Sequence, residues 1–374
     1  MTVTDGKRAI ARRTTPGSLR AAVVGAGFIG RVHAESIRRA GGRVVAVTAG
    51  APERTQAAVD AVGADRGYPD LEALLTHARF DVLHVCAPNR DHAAIAGAAL
   101  AAGAAVICEK PLATSEDDAA ALVDAAAGRI ATVPFVYRFH PMLRELRSRL
   151  EAGEAGIVSS VSGGYLQDWL AGPGDRNWRV DPTLGGPSRA FADIGSHWCD
   201  VVEFATGDRI ARLSAQTAVV RARPHVEGAA NEDLAIVHFT TRTGVMGALV
   251  VSQVAAGRKN RLHLEVSGTE ASFGFDQEDP ERLWIGRRQG NVLLLRDPEA
   301  LSPEAARLTV LPAGHAQGYQ DCFDAFVRDT YRAVRGEELA EGVPTFADGL
   351  RAVRITTAVL RSAAAGGAWA EVAA

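Results

Sequence analysis

The 374-residue sequence has no excess of positive charge, no cysteine pair and no long apolar run, and each lack removes a class of function. Lysine and arginine number 41 against 44 aspartate and glutamate, a formal net charge of −3. That balance offers no electrostatic footprint for a nucleic acid, and none is expected as a partner. Cys86, Cys108, Cys199 and Cys322 are scattered without a C-x-x-C pair, which argues against structural zinc and against a disulfide framework. No metal is expected, and a reducing cytoplasm fits best. No run of ~20 apolar residues exists to span a bilayer, so no membrane partner is expected either.

What is present suits two soluble domains, because single cores stop growing at roughly 250–300 residues. The start of the chain, residues 1–18, is polar and basic, and Arg12-Arg13 invites comparison with a twin-arginine export signal. The only apolar run downstream, residues 21–30, is also the best cofactor-binding element in the chain. Cleavage there would destroy the fold, so residues 1–18 are expected to form a disordered tail.

Residues 19–139 alternate short apolar runs with helical stretches, as parallel βαβ units require. Strands are predicted over 21–24, 44–48, 81–86, 104–108 and 130–136, and helices over 29–40, 54–62, 71–77, 91–102 and 115–126. Ser115 followed by Asp118 predicts an N-cap for the last helix, a local feature worth about 1 kcal/mol. Right-handed crossovers place all strand C-termini on one sheet edge, where ligands bind. Residues 140–374 read differently, with strands predicted over 156–166, 211–221, 234–240, 244–253, 262–267, 283–287 and 291–295. Two helices follow, at 319–335 and 346–364. The fold class is therefore α/β: a Rossmann domain followed by an α+β domain with a large, mainly antiparallel open sheet. The 248–251 segment, Ala-Leu-Val-Val, is apolar on both faces, which predicts a homodimer or homotetramer through that sheet.

Chemistry enters at Gly25-Ala26-Gly27-Phe28-Ile29-Gly30, a G-x-G-x-x-G between a predicted strand and a predicted helix. The first glycine permits the turn, the second lets a pyrophosphate approach the backbone, and the third allows close helix–strand packing. Free N–H groups at the helix start favour the phosphate charge. About 20 residues on, an acid would bind the ribose 2′-hydroxyl of NAD. That place reads Thr48-Ala49-Gly50-Ala51. Without the carboxylate, Thr48 and Arg54 could receive a 2′-phosphate, so the cofactor is NAD or NADP with NADP slightly favoured; Glu53 or backbone groups serving the ribose is the competing reading.

After the 104–108 strand comes Glu109-Lys110-Pro111, an ionisable pair expected to face the cofactor. A lysine beside an oxidised nicotinamide feels its positive charge and partial desolvation, both of which favour proton transfer. Asp193 and His197 are four apart, so a helix over 193–205 would set them on one face, able to share a polar network. Substrate polarity is read from Tyr165, Gln167 and Trp169, which share one face of an extended segment, and from Trp178 and Arg179. Polar groups beside flat aromatics suit a sugar, although Trp169 and Trp178 could equally fill a core. Arg258, Lys259 and Asn260 read as a solvated turn.

These motifs resemble the glucose-fructose oxidoreductase / inositol 2-dehydrogenase family, Gfo/Idh/MocA. The resemblance is carried by the glycine loop with His33, Pro88-Asn89-x-x-His92, Glu109-Lys110-Pro111, Tyr137-Arg138-Phe139-x-Pro141, and Gly185-Gly186 followed by Asp193-x-Gly195-x-His197. It covers residues 19 to about 205. It implies that Lys110 is the catalytic acid/base and that Asp193 and His197 stand beside the substrate, His197 sharing or supplying the proton. It also implies cofactor contacts from Pro88, Asn89 and Glu109. His92 joins that group, although it reads as readily as a structural helix residue, like His33. Arg138 is a candidate for holding substrate. The expected enzyme is an NAD(P)-dependent oxidoreductase acting on a hydroxyl-bearing carbon of a sugar, glycoside or cyclitol. Three rivals stay open: a redox-assisted glycosidase with tightly bound NAD, a non-catalytic cofactor-binding regulator, and a reductase of non-carbohydrate diols or of a biliverdin type.

Overall fold

The computed structural model describes residues 17–221 and 231–374; of the tail expected at 1–18, all but Gly17 and Ser18 lies outside them. The first half builds β1 (Arg20–Val24), α1 (Phe28–Arg39), β2 (Arg43–Thr48), α2 (Thr55–Val62), β3 (Arg66–Gly67), α3 (Leu71–His77), β4 (Val82–Val85), α4 (His92–Ala101), β5 (Ala105–Cys108), α5 (Glu116–Ala125) and β6 (Ala131–Thr132). The six strands are parallel in the order β3-β2-β1-β4-β5-β6. Every residue of β4 is buried, as in a sheet covered on both faces. The strand order reverses between β1 and β4, which opens a crevice beyond their C-terminal ends. Ser115 caps α5 by accepting the N–H of Asp118. The strand expected over 130–136 shortens to two residues, because Pro134 has no N–H for the ladder. The chain turns instead into a 3₁₀ turn at Val136–Phe139.

The second half begins with α6 (Pro141–Glu151), a helix absent from the expected elements. Its signal was present: Pro141 at the first helical position, then Met142, Leu146 and Leu150 at helical spacing. There follow β7 (Val158–Leu166), α7 (Pro182–Gly185), α8 (Ser196–Thr206), β8 (Ile210–Ala218), β9 (Leu234–Thr241), β10 (Met246–Ser252), β11 (Arg261–Gly268), β12 (Ser272–Asp276), β13 (Arg282–Arg287), β14 (Gly290–Leu295), α9 (Pro303–Arg307), α10 (Tyr319–Val334), α11 (Phe346–Ala364) and β15 (Ala370–Glu371). The sheet runs β14-β13-β12-β11-β7-β10-β9-β8-β15. It is antiparallel except where β7 lies parallel to β10. Alternation gives it two unlike faces: β9 buries Ala235, Val237 and Phe239 and turns Ile236 and His238 outward.

The last two long helices return to the first sheet. Phe323, Phe326 and Tyr331 of α10 share a core with Ala21, Val23 and Val47 on one face. Phe346, Leu350 and Val353 of α11 join Leu83, Val106 and Leu122 on the other. Further along α11, Ile355, Ala358 and Val359 enter the core beneath the large sheet. Burying each such side chain contributes about 1.5–3 kcal/mol, so the two halves are clamped at the crevice. No helix among the described residues is long and apolar enough to cross a membrane.

Candidate active site

The glycine loop has the shape a dinucleotide needs. Gly25 sits at φ +101°, and a Cβ there would fall 2.3 Å from the Cys86 carbonyl oxygen. A Cβ on Gly30 would meet the Gly25 carbonyl oxygen at 2.1 Å. Gly27 differs: nothing lies within 4 Å of its would-be Cβ, and it leads into α1 with no side chain capping the helix. Open space in front of unpaired helix N–H groups fits a pyrophosphate. Phe28 is 69% exposed at the mouth of this cradle, with Ile29 half-buried beside it. At the end of β2, Thr48 is buried and its hydroxyl accepts from the Gly50 N–H at 3.3 Å. Arg54 is exposed and makes no ion pair among the described residues.

Loops after β4 and β5 form the neighbouring wall. Beyond Pro88, the Asn89 amide donates to the Gly185 carbonyl at 2.9 Å, tying the Rossmann edge to the second half. His92 is buried; its ring nitrogens face the Pro111 and Ala87 carbonyl oxygens at 2.7 and 2.9 Å. It braces one loop against the other. Glu109 is buried, and its Oε2 accepts the backbone N–H of Lys110 at 3.1 Å.

At the centre, Lys110 Nζ donates to Asp193 twice, to Oδ1 at 2.5 Å and to the carbonyl oxygen at 3.0 Å. Asp193 belongs to a π-helical turn, Phe191–Gly195, that precedes α8, so the single α-helix expected over 193–205 is corrected. Glu232 fixes the entry to this turn: its Oε1 accepts from the Ser188 hydroxyl and the N–H groups of Arg189 and Phe191. Gln253 Nε2 donates to Asp193 Oδ2 at 2.7 Å, and Arg179 Nε stands 3.6 Å from Oδ1. Burial alone would raise the Asp193 carboxyl, but Lys110 and Arg179 outweigh it and hold it well below the usual carboxylate range.

His197, on α8, is 7% exposed and sits edge-on to Phe135 and Tyr137 at centroid distances of 5.5 and 4.9 Å. Burial pushes its imidazole well below the ordinary value, and the Lys110 charge adds to this. The ring is neutral, and its Nδ1 is buried with no hydrogen-bond partner. It is coupled to Lys110 and Asp193 through their charges, without the direct hydrogen-bonded network expected from the sequence.

The remaining expected residues divide. Trp178 lies under the Arg179 guanidinium at 4.4 Å, so this pair adjoins Asp193. Tyr165 is buried, its hydroxyl paired with that of Tyr137 and donating to Asn260 Oδ1 at 2.7 Å. Gln167 donates to the same oxygen, and Trp169 Nε1 donates to Gln167, each at 2.7 Å. Asn260, expected to be solvated, thus holds two of the expected substrate residues directly and Trp169 through Gln167; only its neighbours Arg258 and Lys259 make exposed ion pairs. Arg138 is not at the centre: it is buried between Asp200 and Asp348, each 2.8 Å away, a tie joining the inter-domain segment to α8 and α11. Gln253 was missed altogether. Its one sequence signal is a polar residue directly after the apolar β10. Among the described residues, no group of three or more His, Cys, Asp or Glu is placed to hold a metal ion.

A dinucleotide cradle and an amine held by a carboxylate on one sheet edge are the equipment of a nucleotide-dependent oxidoreductase. The model of an oxidoreductase family with an NAD-binding Rossmann fold matches residues 19–135, and that of the Gfo/Idh/MocA C-terminal domain matches residues 143–274. The chain is 28% identical to levoglucosan dehydrogenase of Pseudarthrobacter phenanthrenivorans, over 93% of this chain and 96% of that one. An oxidoreductase domain protein from Kribbella flavida superposes with a TM-score of 0.87 at 32% identity, covering 96% of this chain and 100% of its own. An inositol dehydrogenase homologue from Azotobacter vinelandii, in complex with NAD+, gives 0.87 at 28% identity over 95% and 98%. The chain belongs to the Gfo/Idh/MocA oxidoreductase family.

The glycines predict opposite outcomes. Gly25→Ala is expected to lose about 1–3 kcal/mol in urea unfolding, because its backbone is left-handed and its Cβ has no room. Gly27→Ala is expected to keep wild-type stability and to weaken NADH binding about tenfold by fluorescence titration. Unchanged NADH affinity in Gly27→Ala would remove the loop from the cofactor site.

Proposed function

We propose that the protein is an NAD(P)-dependent dehydrogenase acting on a hydroxyl-bearing carbon of a sugar, glycoside or cyclitol, with Lys110 and His197 handling the proton. The observation that carries this reading is the Lys110–Asp193 contact, 2.5 Å across the two halves of the chain, on the sheet edge shared with the glycine loop. When bound, the nicotinamide supplies the hydride acceptor or donor. In oxidation, Lys110 Nζ in its neutral form takes the hydroxyl proton as the hydride leaves the same carbon; in reduction the ammonium returns that proton to the carbonyl oxygen. Two of the three ammonium N–H bonds are committed to Asp193, and the third is available to a substrate oxygen. Neutral His197 has the lone pair needed to share the proton or accept from a second hydroxyl. The names of the relatives, levoglucosan dehydrogenase and inositol dehydrogenase homologue, support polyhydroxylated rings as substrates.

NAD+ stands in the Azotobacter vinelandii complex. We infer a slight preference for NADP from the missing carboxylate after β2 and the exposed Arg54. The outer face of the large sheet exposes Ile236 and Val250, 42% and 40%, around a concavity of about 670 Å³; we infer a homodimer or homotetramer through it. Four free, buried cysteines suit a reducing cytoplasm.

Absorbance of reduced nicotinamide, followed with both cofactors against sugars, glycosides, polyols and cyclitols, tests the activity; no turnover with any of them overturns the sugar assignment. Release of free sugar from a glycoside without net cofactor reduction would favour the glycosidase instead. Lys110→Met is expected to lower kcat by about 10²–10⁴ while NADH affinity stays within about twofold; an unaltered kcat would end the proposed role of Lys110. Arg54→Ala is expected to raise KM for NADP about tenfold and leave that for NAD unchanged, and equal effects on both would overturn the NADP preference. By light scattering, Val250→Glu is expected to have a smaller mass than the wild type; a wild-type monomer refutes the assembly.

A further inference from the structure

Four polar side chains below the Lys110 loop take no part in that scheme. Glu109, His33 of α1, His84 of β4 and Tyr331 of α10 are all buried, Glu109 most exposed at 7%. They form an unbranched row. Glu109 Oε1 lies 3.1 Å from His33 Nε2, His33 Nδ1 lies 2.8 Å from His84 Nδ1, and His84 Nε2 lies 2.9 Å from the Tyr331 hydroxyl. The far end is closed: Tyr331 is fully buried, its ring against Gly42. The row therefore cannot deliver protons to bulk water.

Counting hydrogens leaves one arrangement. Each contact needs one proton, and an ionised Glu109 can only accept. His33 must then carry its hydrogen on Nε2 and present a lone pair at Nδ1. His84 must donate through Nδ1, and its Nε2 must accept from Tyr331. An extra proton on His33, or on Glu109 Oε1, reverses the two contacts of His84 and strands the Tyr331 hydrogen in a dry core. Charge effects act in the same sense. Burial drives the His84 imidazole far below its ordinary value, with His33 adding to it. Burial alone would raise Glu109, yet the hydrogen bond from His33 and the charge of Lys110 hold it below the usual range.

We propose that His33 is a positioning residue: with its hydrogen fixed on Nε2 by His84 and Tyr331, it keeps Glu109 ionised and its second oxygen on the Lys110 backbone N–H. This rests on the reading of Lys110 as the proton carrier. The titratable groups facing Glu109 are His33 from α1, Lys110 from its own loop, His92 from α4, Tyr319 from α10, and Cys86 and Cys108 at the ends of β4 and β5. Of the described residues, only His33 bonds Oε1. Facing the far end are Asp81, before β4, and Arg335, after α10.

The test compares the pH dependence of kcat/KM for carbonyl reduction, the direction in which Lys110 acts as the ammonium and stays protonated on the acid side, in the full chain and its variants. Removing the Nε2–H donor raises the Glu109 pKa, so the ionised form is lost at higher pH and the acid limb moves up. His33→Phe is expected to move it up by about one pH unit and lower kcat, with both KM values within about twofold. His33→Gln, whose amide can donate to Glu109 and accept from His84, is expected to restore most of the wild-type profile. Tyr331→Phe, two residues further along the row, is expected to move the limb up by about half a unit. An unmoved acid limb in His33→Phe overturns the proposal; should that variant not fold, an unmoved limb in Tyr331→Phe overturns it. Normal turnover in Lys110→Met would instead overturn the Lys110 reading, so the two failures are told apart.

Discussion

The ion pair between Lys110 and Asp193 is the constraint to which the rest of the molecule answers. Both side chains are largely withdrawn from water, 12% and 15% exposed, and removing ions from water costs several kcal/mol each unless every remaining lone pair and proton finds a partner. The surroundings supply those partners. Gln253 occupies the second Asp193 oxygen, Arg179 adds positive charge, and the Asp193 carbonyl takes another Lys110 proton. Breaking such a pair from one side leaves an uncompensated buried charge, a cost of roughly 3–5 kcal/mol. Geometry this expensive to disturb keeps an amine at one point on the sheet edge.

Holding it there is a matter of two foundations. Lys110 hangs from β5 through Glu109, and Glu109 is fixed to α1 by His33. Asp193 stands on a π turn whose start is gripped by Glu232, a residue at the foot of β9. These foundations belong to different halves of the sequence and would drift apart if only the ion pair joined them. The returning helices prevent this, because α11 contributes to the core on one face of the Rossmann sheet and to the core under the large sheet. Arg138, with Asp200 and Asp348, adds a polar tie between the same parts.

What the sequence discloses follows from how local each feature is. Gly25, Gly27 and Gly30 are legible because their reasons lie within one strand, turn and helix. Lys110 is legible because parallel strands deliver their C-terminal residues to one edge. Gln253 and Asn260 are not, since their roles depend on partners 60 and 93 residues away, and alternation along a strand gives a face without naming what it meets. Arg138 shows the converse. A charged residue near the domain junction suggests a ligand, but two carboxylates from α8 and α11 reach it first. The π turn at Phe191–Gly195 is equally hidden, because one extra residue in a helical turn leaves the apolar periodicity around it nearly intact.

The same accounting of partners bears on what enters the crevice. Tyr165, Gln167, Trp169 and Asn260 hydrogen-bond to one another, so much of their polarity is consumed in making a rigid wall. The groups with capacity to spare are fewer: one Lys110 N–H, the Arg179 guanidinium resting on Trp178, and the neutral His197 ring. A flat indole next to several convergent donors and one lone pair suits a ring with C–H faces and neighbouring hydroxyls. Asp193 stands beside them already paired with Lys110 and close to Arg179, so it fixes the donors around such a ring and does not meet the ring as a free charge.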